Sequence, residues 1–456
     1  MLPTNFKYLL PIIAITLLFS CKKDDNGNEN PSDDDPPVQI DLEGVIEFSK
    51  TFGGSGEDKA TAMVIANDGG YVVFGSTKSN DGDIVDKTDL NSDFWALKLT
   101  ADGEKVWSKT YGGSNDEEGQ SIRKTNDGGY ILSGFSRSSD GDVGGNEGFQ
   151  DYWIVKIDRS GNLQWEQHYG FAGGEQCFST FQTSDGGYFA TGFLDVTGSN
   201  GQGNDDGRSV QHGVGEFWGI KMDSEGNKEW RRYFGGTNND RSYDALETDD
   251  GGFLLVGASE SDDFDITDSK GSYDYWVVRV NADGDKLWTK SFGGEEIDVA
   301  YAVTKSMDGN YILVGDARST DQDVSNPIGN ADLWAVKFSD NNGAMIWEKS
   351  FGGTEFDSAK SIKAMSDGNY LISGATRSAN GDVTSNNGQN DAWVIIINED
   401  GELQFEMNVG GSDLDFANDA HQTADGKIIL VGDTESNDID VTNNRGFNDL
   451  LIVKIK

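Results

Sequence analysis

Residues 108–165 read SKTYGGSNDEEGQSIRKTNDGGYILSGFSRSSDGDVGGNEGFQDYWIVKIDRSGNLQW, and almost every other part of the chain is a variation on them. Shifted by about 58 residues, the pattern returns. W-x-K-x-[FY]-G-G opens each unit, D-G-G-Y sits in the middle, and D-x-W-x-x-K followed by G-x-x-x-W closes it. A fixed period of this size marks a repeat architecture, in which each unit is one supersecondary element that cannot bury its apolar face alone. The array therefore overrides the several domains that 456 residues would otherwise allow.

The repeated positions describe strands and turns. Asp-Gly recurs at Asp68, Asp127, Asp185, Asp250, Asp308, Asp367 and Asp425, each followed by glycine. Asp-Gly between apolar runs signals a tight hairpin, because the turn needs positive φ. Seven residues beyond each aspartate stands another glycine, from Gly75 to Gly432, inside an apolar run, where a bulge or a close backbone approach is expected. The D-x-W segment places Trp95, Trp153, Trp218, Trp276, Trp334 and Trp393, with Leu451 in the last copy. A second turn glycine follows, and four residues after it comes Trp107, Trp165, Trp230, Trp288, Trp347 or Phe405. Each unit thus predicts four short antiparallel strands: one from the G-G turn to D-G-G, then the Y-I-L-S-G, D-Y-W-I-V-K-I and N-L-Q-W types. Such a unit is what a propeller blade requires.

The chain starts and stops out of phase with its own unit. The seventh copy ends at Lys456 after its third strand, and residues 41–48 (DLEGVIEF) supply the missing fourth, with Gly44 as the turn glycine and Phe48 as the aromatic. This offset resembles the "Velcro" closure of propellers, and residues 41–456 resemble the bacterial seven-bladed β-propeller repeat family. The resemblance implies an all-β, seven-bladed propeller of four-stranded antiparallel blades, closed by an N-terminal strand that completes the last blade. It implies no single activity.

Ahead of the array lies an address. In residues 1–20, Lys7 precedes a 12-residue apolar run, Tyr8 to Phe19, too short to span a membrane comfortably. The run leads into Leu18-Phe19-Ser20-Cys21, which resembles the lipobox of bacterial lipoproteins and implies a signal peptide over 1–20 and lipidation of Cys21; Phe19 is larger than the usual residue at its place. Lys22-Lys23-Asp24-Asp25 resembles the export signal of surface-exposed lipoproteins in some Gram-negative bacteria. Residues 21–40, with three prolines and an acidic run, read as a disordered tether. As a random coil such a tether reaches roughly 25 Å. The expected address is the outer membrane, lipid-anchored and facing outward.

Charge narrows the partners. A formal net charge of −43 repels a phosphate backbone and excludes nucleic acid, while it suits divalent cations or a basic partner. Two cysteines, Cys21 and Cys177, build no disulfide framework, and Cys177 falls at a small-residue position of the first strand. His168, His212 and His421 are scattered, and no H-E-x-x-H, G-x-S-x-G or P-loop is present. No cofactor is implied.

Three sets of residues carry candidate chemistry. An acid begins each first strand: Asp58, Glu117, Glu175, Asp240, Asp298, Asp357 and Asp415. Seven such side chains are expected either to ring one mouth of the channel and hold cations, or to cap the backbone N–H groups of the G-G turn. The long loop carries S-x-[DN]-x-D-[IV], giving Asp81 and Asp83, Asp140 and Asp142, Asp263 and Asp265, Asp321 and Asp323, Asn380 and Asp382, and Asp438 and Asp440. Oxygens at alternate positions suit Ca²⁺, although the spacing is not that of an EF-hand; Asx-turns account for the same residues. In the third unit the corresponding loop, residues 194–215, is longer and breaks the pattern, bringing Asp205, Asp206, Arg208 and His212. The eleven tryptophans all occupy the two repeated aromatic positions and read as inter-blade packing. The expectation is a monomeric binding or scaffold module for an envelope protein or glycan. The alternative is an extracellular polysaccharide hydrolase or lyase using carboxylates at the channel mouth.

Overall fold

The computed structural model describes residues 42–205 and 212–456. The targeting segment, Cys21 and the tether lie outside the described residues. Twenty-eight strands form seven four-stranded antiparallel sheets. Blade two, from the quoted stretch, runs Glu117–Lys124, Tyr130–Ser136, Asp151–Ile157 and Leu163–Tyr169, each strand beside the next. At its hairpin Gly128 has φ +82°, and Asp127 accepts hydrogen bonds from Gly129 N (2.9 Å) and Thr125 Oγ1 (2.5 Å). The lysine of D-x-W-x-x-K closes on the same carboxylate, Lys156 Nζ lying 2.9 Å from Asp127 Oδ2. Its counterparts pair Lys98 with Asp68 and Arg279 with Asp250.

The seventh sheet brings both ends of the ring together. Strand Ile46–Phe52 pairs antiparallel with Asp449–Ile455, followed by Ile428–Thr434 and Asp419–Gln422. Lys456 N donates to Val45 O at 2.9 Å, sealing the join. This is the closure the phase offset predicts. One boundary differs from the sequence reading: W-x-K-x-[FY] does not open a unit but continues the fourth strand of the preceding blade, as in Leu163–Tyr169. The reason is geometric, since the strand must run the full width of its neighbour, and Trp153 pairs with His168 well beyond Trp165.

The core lies between blades, not within them. Each of seven apolar clusters joins residues of two adjacent sheets; one unites Ile429, Val431 and Ile452 of the last blade with Ala60, Met63 and Trp95 of the first. The third-strand tryptophans are fully buried in these layers. The fourth-strand aromatics are half-buried and make a second ladder: Trp107 lies under the turn glycine Gly161, Trp165 under Gly226, and Trp230 under Gly284. The ladder crosses the join as well, Phe405 meeting Gly44 and Phe48 meeting Gly103. Trp334→Ala is expected to cost about 3–5 kcal/mol, and Trp347→Ala distinctly less because its ring is already partly solvated. The urea midpoints of the two variants check the order.

Candidate functional site in the axial channel

The acids that begin the first strands are all fully buried. Asp58 Oδ2 accepts from Gly54 N (2.7 Å) and Ser79 Oγ (2.7 Å), and Thr77 donates to its other oxygen. Glu117, Asp240, Asp298, Asp357 and Asp415 bond the second glycine of their own G-G turns in the same way, and Glu175 accepts from Phe171 N at 2.9 Å. The structure thus places these seven within the wall, where a turn amide takes one oxygen of each, and not on the lumen; Glu175 Oε1 and Asp240 Oδ1 have no hydrogen-bond partner.

Each has a second acid beside it, the aspartate or glutamate of the preceding blade's D-x-W. Asp274 Oδ1 and Asp298 Oδ2 both lie within 2.7 Å of where a Cβ on Gly293 would stand, so the first glycine of G-G admits no side chain. Asp93, Asp151, Glu216, Asp274, Asp391 and Asp449 each keep one buried oxygen without a hydrogen-bond partner. Burial, reinforced by the neighbouring Asp298, pushes Asp274 up to about 7. Burial pushes Glu175 up to about 8, with Asp151 adding to it. A carboxyl in such a place is most stable with its proton on.

The long-loop acids strap the loop to the same turn. Asp81, Asp140, Asp263, Asp321 and Asp438 accept from Ser55, Ser114, Thr237, Glu295 and Ser412 N at 2.7–3.0 Å. Asp83, Asp142, Asp265 and Asp323 accept from the first turn glycine at 3.2–3.3 Å, whereas Asp440 meets Asn387 Nδ2 at 3.4 Å. Lys105 and Arg445 further pair with Asp83. Among the described residues no group of three or more His, Cys, Asp or Glu side chains is arranged to hold a metal ion. In the third blade, Asp205 pairs with Lys228 (2.6 Å) and Arg231 (3.2 Å), and His212 Nδ1 lies 3.2 Å from Glu216 Oε1 while its ring stacks on Phe264. Asp206 and Arg208 lie outside the described residues.

The site that the sequence reading missed is on the axis. In each of the first six blades the first strand carries a bulge at one place, for example between Gly119 and Ser121 opposite Gly134. The glycine of the second strand is required there, since a Cβ on Gly134 would stand 1.9 Å from Glu118 O. A bulge re-aims side chains. Here it turns two successive residues of each first strand toward a central cavity of about 220 Å³. The first of the two varies from blade to blade, whereas the second is alanine, serine or aspartate throughout. Phe178, Tyr243 and Tyr301 stand on consecutive blades, with ring centroids 5.1 and 5.2 Å apart, and Lys360 Nζ lies 3.4 Å from the Tyr301 centroid. Blade two presents Gln120 and Ser121, and blade seven Asn418 and Asp419. The signal was present in the column directly after the small residue, which reads Thr61, Gln120, Phe178, Tyr243, Tyr301, Lys360 and Asn418.

Charge in the cavity is mixed and mostly paired. Asp244 accepts from Ser179 Oγ (2.9 Å) and Val303 N (3.3 Å), joining three blades, and Arg123 reaches to 3.8 Å of it. Asp419 accepts from Ser361 Oγ (2.7 Å) and Met63 N (3.1 Å), with Lys363 at 3.5 Å and His421 at 3.2 Å. Although burial opposes it, Lys363 and His421 hold the Asp419 carboxyl well below the usual range.

The fold and this axis define a seven-bladed β-propeller. No established protein-family description matches the chain. The regulatory protein FlaEY of Caulobacter vibrioides is 24% identical over 268 residues, covering 53% of this chain and 28% of that protein, so the chain spans less than a third of that relative. Similar solved structures include the Pan2 WD40 domain of Neurospora crassa (8% identity, 89% of this chain and 95% of that one, TM-score 0.48). Sqt1 of Chaetomium thermophilum is another (10%, 91% and 100%, TM-score 0.46), as is the quinohemoprotein alcohol dehydrogenase of Comamonas testosteroni (10%, 90% and 76%, TM-score 0.46).

The buried acid pairs set a pH dependence. An acid whose folded pKa is raised keeps its proton in the folded chain while the unfolded chain loses it, so stability falls as pH rises from the ordinary carboxylate range to the folded value. For Asp274 that window ends at about 7, and for Glu175 at about 8. The melting temperature is expected to decline between about pH 5 and pH 8. Asp274→Asn, which keeps the acceptor for Lys270 N, should flatten the decline, so that the variant gains on the parent at the alkaline end.

Proposed function

We propose that the chain is a lipid-anchored binding module of the bacterial outer membrane, facing outward, and that its ligand site is the axial channel. One observation carries the reading: in an array where turns, seams and aromatics recur from blade to blade, the residues aimed into the channel differ. A binding site needs an asymmetric set of groups, and only a position exempt from the repeat supplies one. The lipobox and the tether before residue 42 support the address. The polysaccharide hydrolase or lyase reading finds two blade-specific acids here, Asp244 and Asp419. Both, however, are tied into the wall, Asp244 by Ser179 and Val303 and Asp419 by Ser361 and Met63, and neither is set free to face a scissile bond.

Two measurements test the two halves. Cys21→Ala should abolish incorporation of labelled fatty acid and release the protein from the membrane, and protease added to intact cells should digest the anchored parent. Protection from the protease would place the domain on the inner side. Envelope extract passed over immobilised parent and over the Tyr243→Ala/Tyr301→Ala double variant should leave at least one glycan or protein on the parent alone. Equal retention on both, with the variant folded by its melting curve, would remove the channel as the site.

A further inference from the structure

We infer that the channel takes a single carboxylate-bearing pyranose ring, an acidic sugar, with its carboxylate on Lys360 and its C–H face against Phe178 and Tyr243. This deepens the proposal that the channel is the ligand site, and rests on it.

The anion requirement comes from Lys360. Of the three cationic chains of the cavity, Arg123 reaches toward Asp244 and Lys363 pairs with Asp419, whereas Lys360 makes no ion pair or hydrogen bond among the described residues. Its ammonium is held over the face of Tyr301, which fixes its position without neutralising it. Asp316 stands behind, beyond ion-pair distance; burial pushes its carboxyl up to about 6, and Lys360 draws it partly back. Burial in turn pushes the Lys360 ammonium down, which is the cost a ligand carboxylate would relieve. In a chain of net charge −43 this is a position prepared for one anionic group.

The ring and its hydroxyls follow from the neighbours. Phe178 and Tyr243 are half-buried, tilted 52° to one another, and belong to adjacent blades, so together they offer a concave apolar face. Ser121, on blade two beside them, is 3% exposed, and its hydroxyl has no hydrogen-bond partner. A buried hydroxyl without a partner is costly and is satisfied by a ligand or water. Gln120 adds an amide with both donor and acceptor capacity. An apolar face, an unpaired ammonium, a hydroxyl and an amide around about 220 Å³ match one ring that has a C–H face, hydroxyls and a carboxylate. The volume lies below the range of roughly 300–1,000 Å³ usual for drug-sized ligands, which limits the channel to one residue of a glycan or a free monosaccharide.

The test is calorimetric titration of the full chain with glucuronate, its methyl glycoside, glucose and benzoate. Glucuronate and its glycoside are expected to bind with Kd of roughly 0.1–1 mM, the glycoside at least as well if the natural source is a chain end. Glucose and benzoate should each be weaker by about tenfold or more, the first for lack of charge and the second for lack of hydroxyls. Lys360→Met should lose the preference for glucuronate over glucose, Lys360→Arg should keep it, and Tyr243→Ala should weaken both sugars. Melting curves establish that each variant is folded. Equal binding of glucose and glucuronate, or a preference that survives in Lys360→Met, overturns the acidic class while leaving the channel as a site. Preference for benzoate overturns the sugar. Absence of saturable binding by either acidic sugar overturns the inference outright, and retention from envelope extract still judges the channel reading separately.

Discussion

A four-stranded sheet with two apolar faces is stable only between two others of its kind, and this one constraint organises the molecule. The second and third strands are buried along their entire length in every blade but the third, as in Tyr71–Thr77 and Asp93–Leu99, and in the third only Phe193 and Asp195 are partly exposed, so neither face is free to meet water. A linear stack would leave two such faces exposed at its ends, and the ring removes both. Closure is then a condition of solubility, and the strand Ile46–Phe52 is its instrument. It supplies the fourth strand of the last blade and also carries Phe48 under Gly103, so the same segment completes a sheet and a seam.

The seams explain why so many charged groups are buried in so acidic a chain. Between blades the backbone must turn sharply at G-G, leaving amides that point inward. The first-strand acids take those amides, and the D-x-W acids take the amides of the long loop, as Asp391 does with Asn387 N at 2.8 Å. The two functions bring the carboxyls together, since loop and turn meet at the same place. Burial raises both carboxyls of such a pair, Glu175 to about 8 and Asp151 to about 6. An acidic environment therefore suits this fold better than an alkaline one, a property of its turns and not of any ligand.

The sequence disclosed whatever the repeat holds constant. Asp-Gly hairpins, third-strand tryptophans, the glycine at the bulge and the phase of closure are all seven-fold or nearly so, and comparison of copies is enough to read them. The lysine of D-x-W-x-x-K was visible as a position, but its partnership with the hairpin aspartate was not, because Lys156 and Asp127 come together only when the second and third strands lie side by side. The channel was hidden for a different reason. Strict alternation along a strand assigns neighbouring residues to opposite faces, so Tyr243 and Asp244 read as one inward and one outward residue. The bulge between Ser242 and Asp244 breaks that alternation and aims both at the axis. Nothing in a single copy announces the extra residue.

The bulge also explains how an array so constrained can host an individual site. A residue in the seam must match the blade facing it, and a change there is felt by two sheets. A bulged residue is excused from the ladder, and its side chain meets the open axis, so substitution there disturbs little packing. The exceptions support this argument. Asp244, which follows the bulged residue, and Asp419, at the matching place of the last blade, are tied into neighbouring first strands by Ser179 and Val303 and by Ser361 and Met63. They are part of the wall as much as of the cavity. Tyr243, Gln120 and Lys360, at the bulge itself, carry no such duty. Recognition in this propeller therefore rests on the bulged residues, while the acids beside them hold the ring of first strands to the shape the ligand meets.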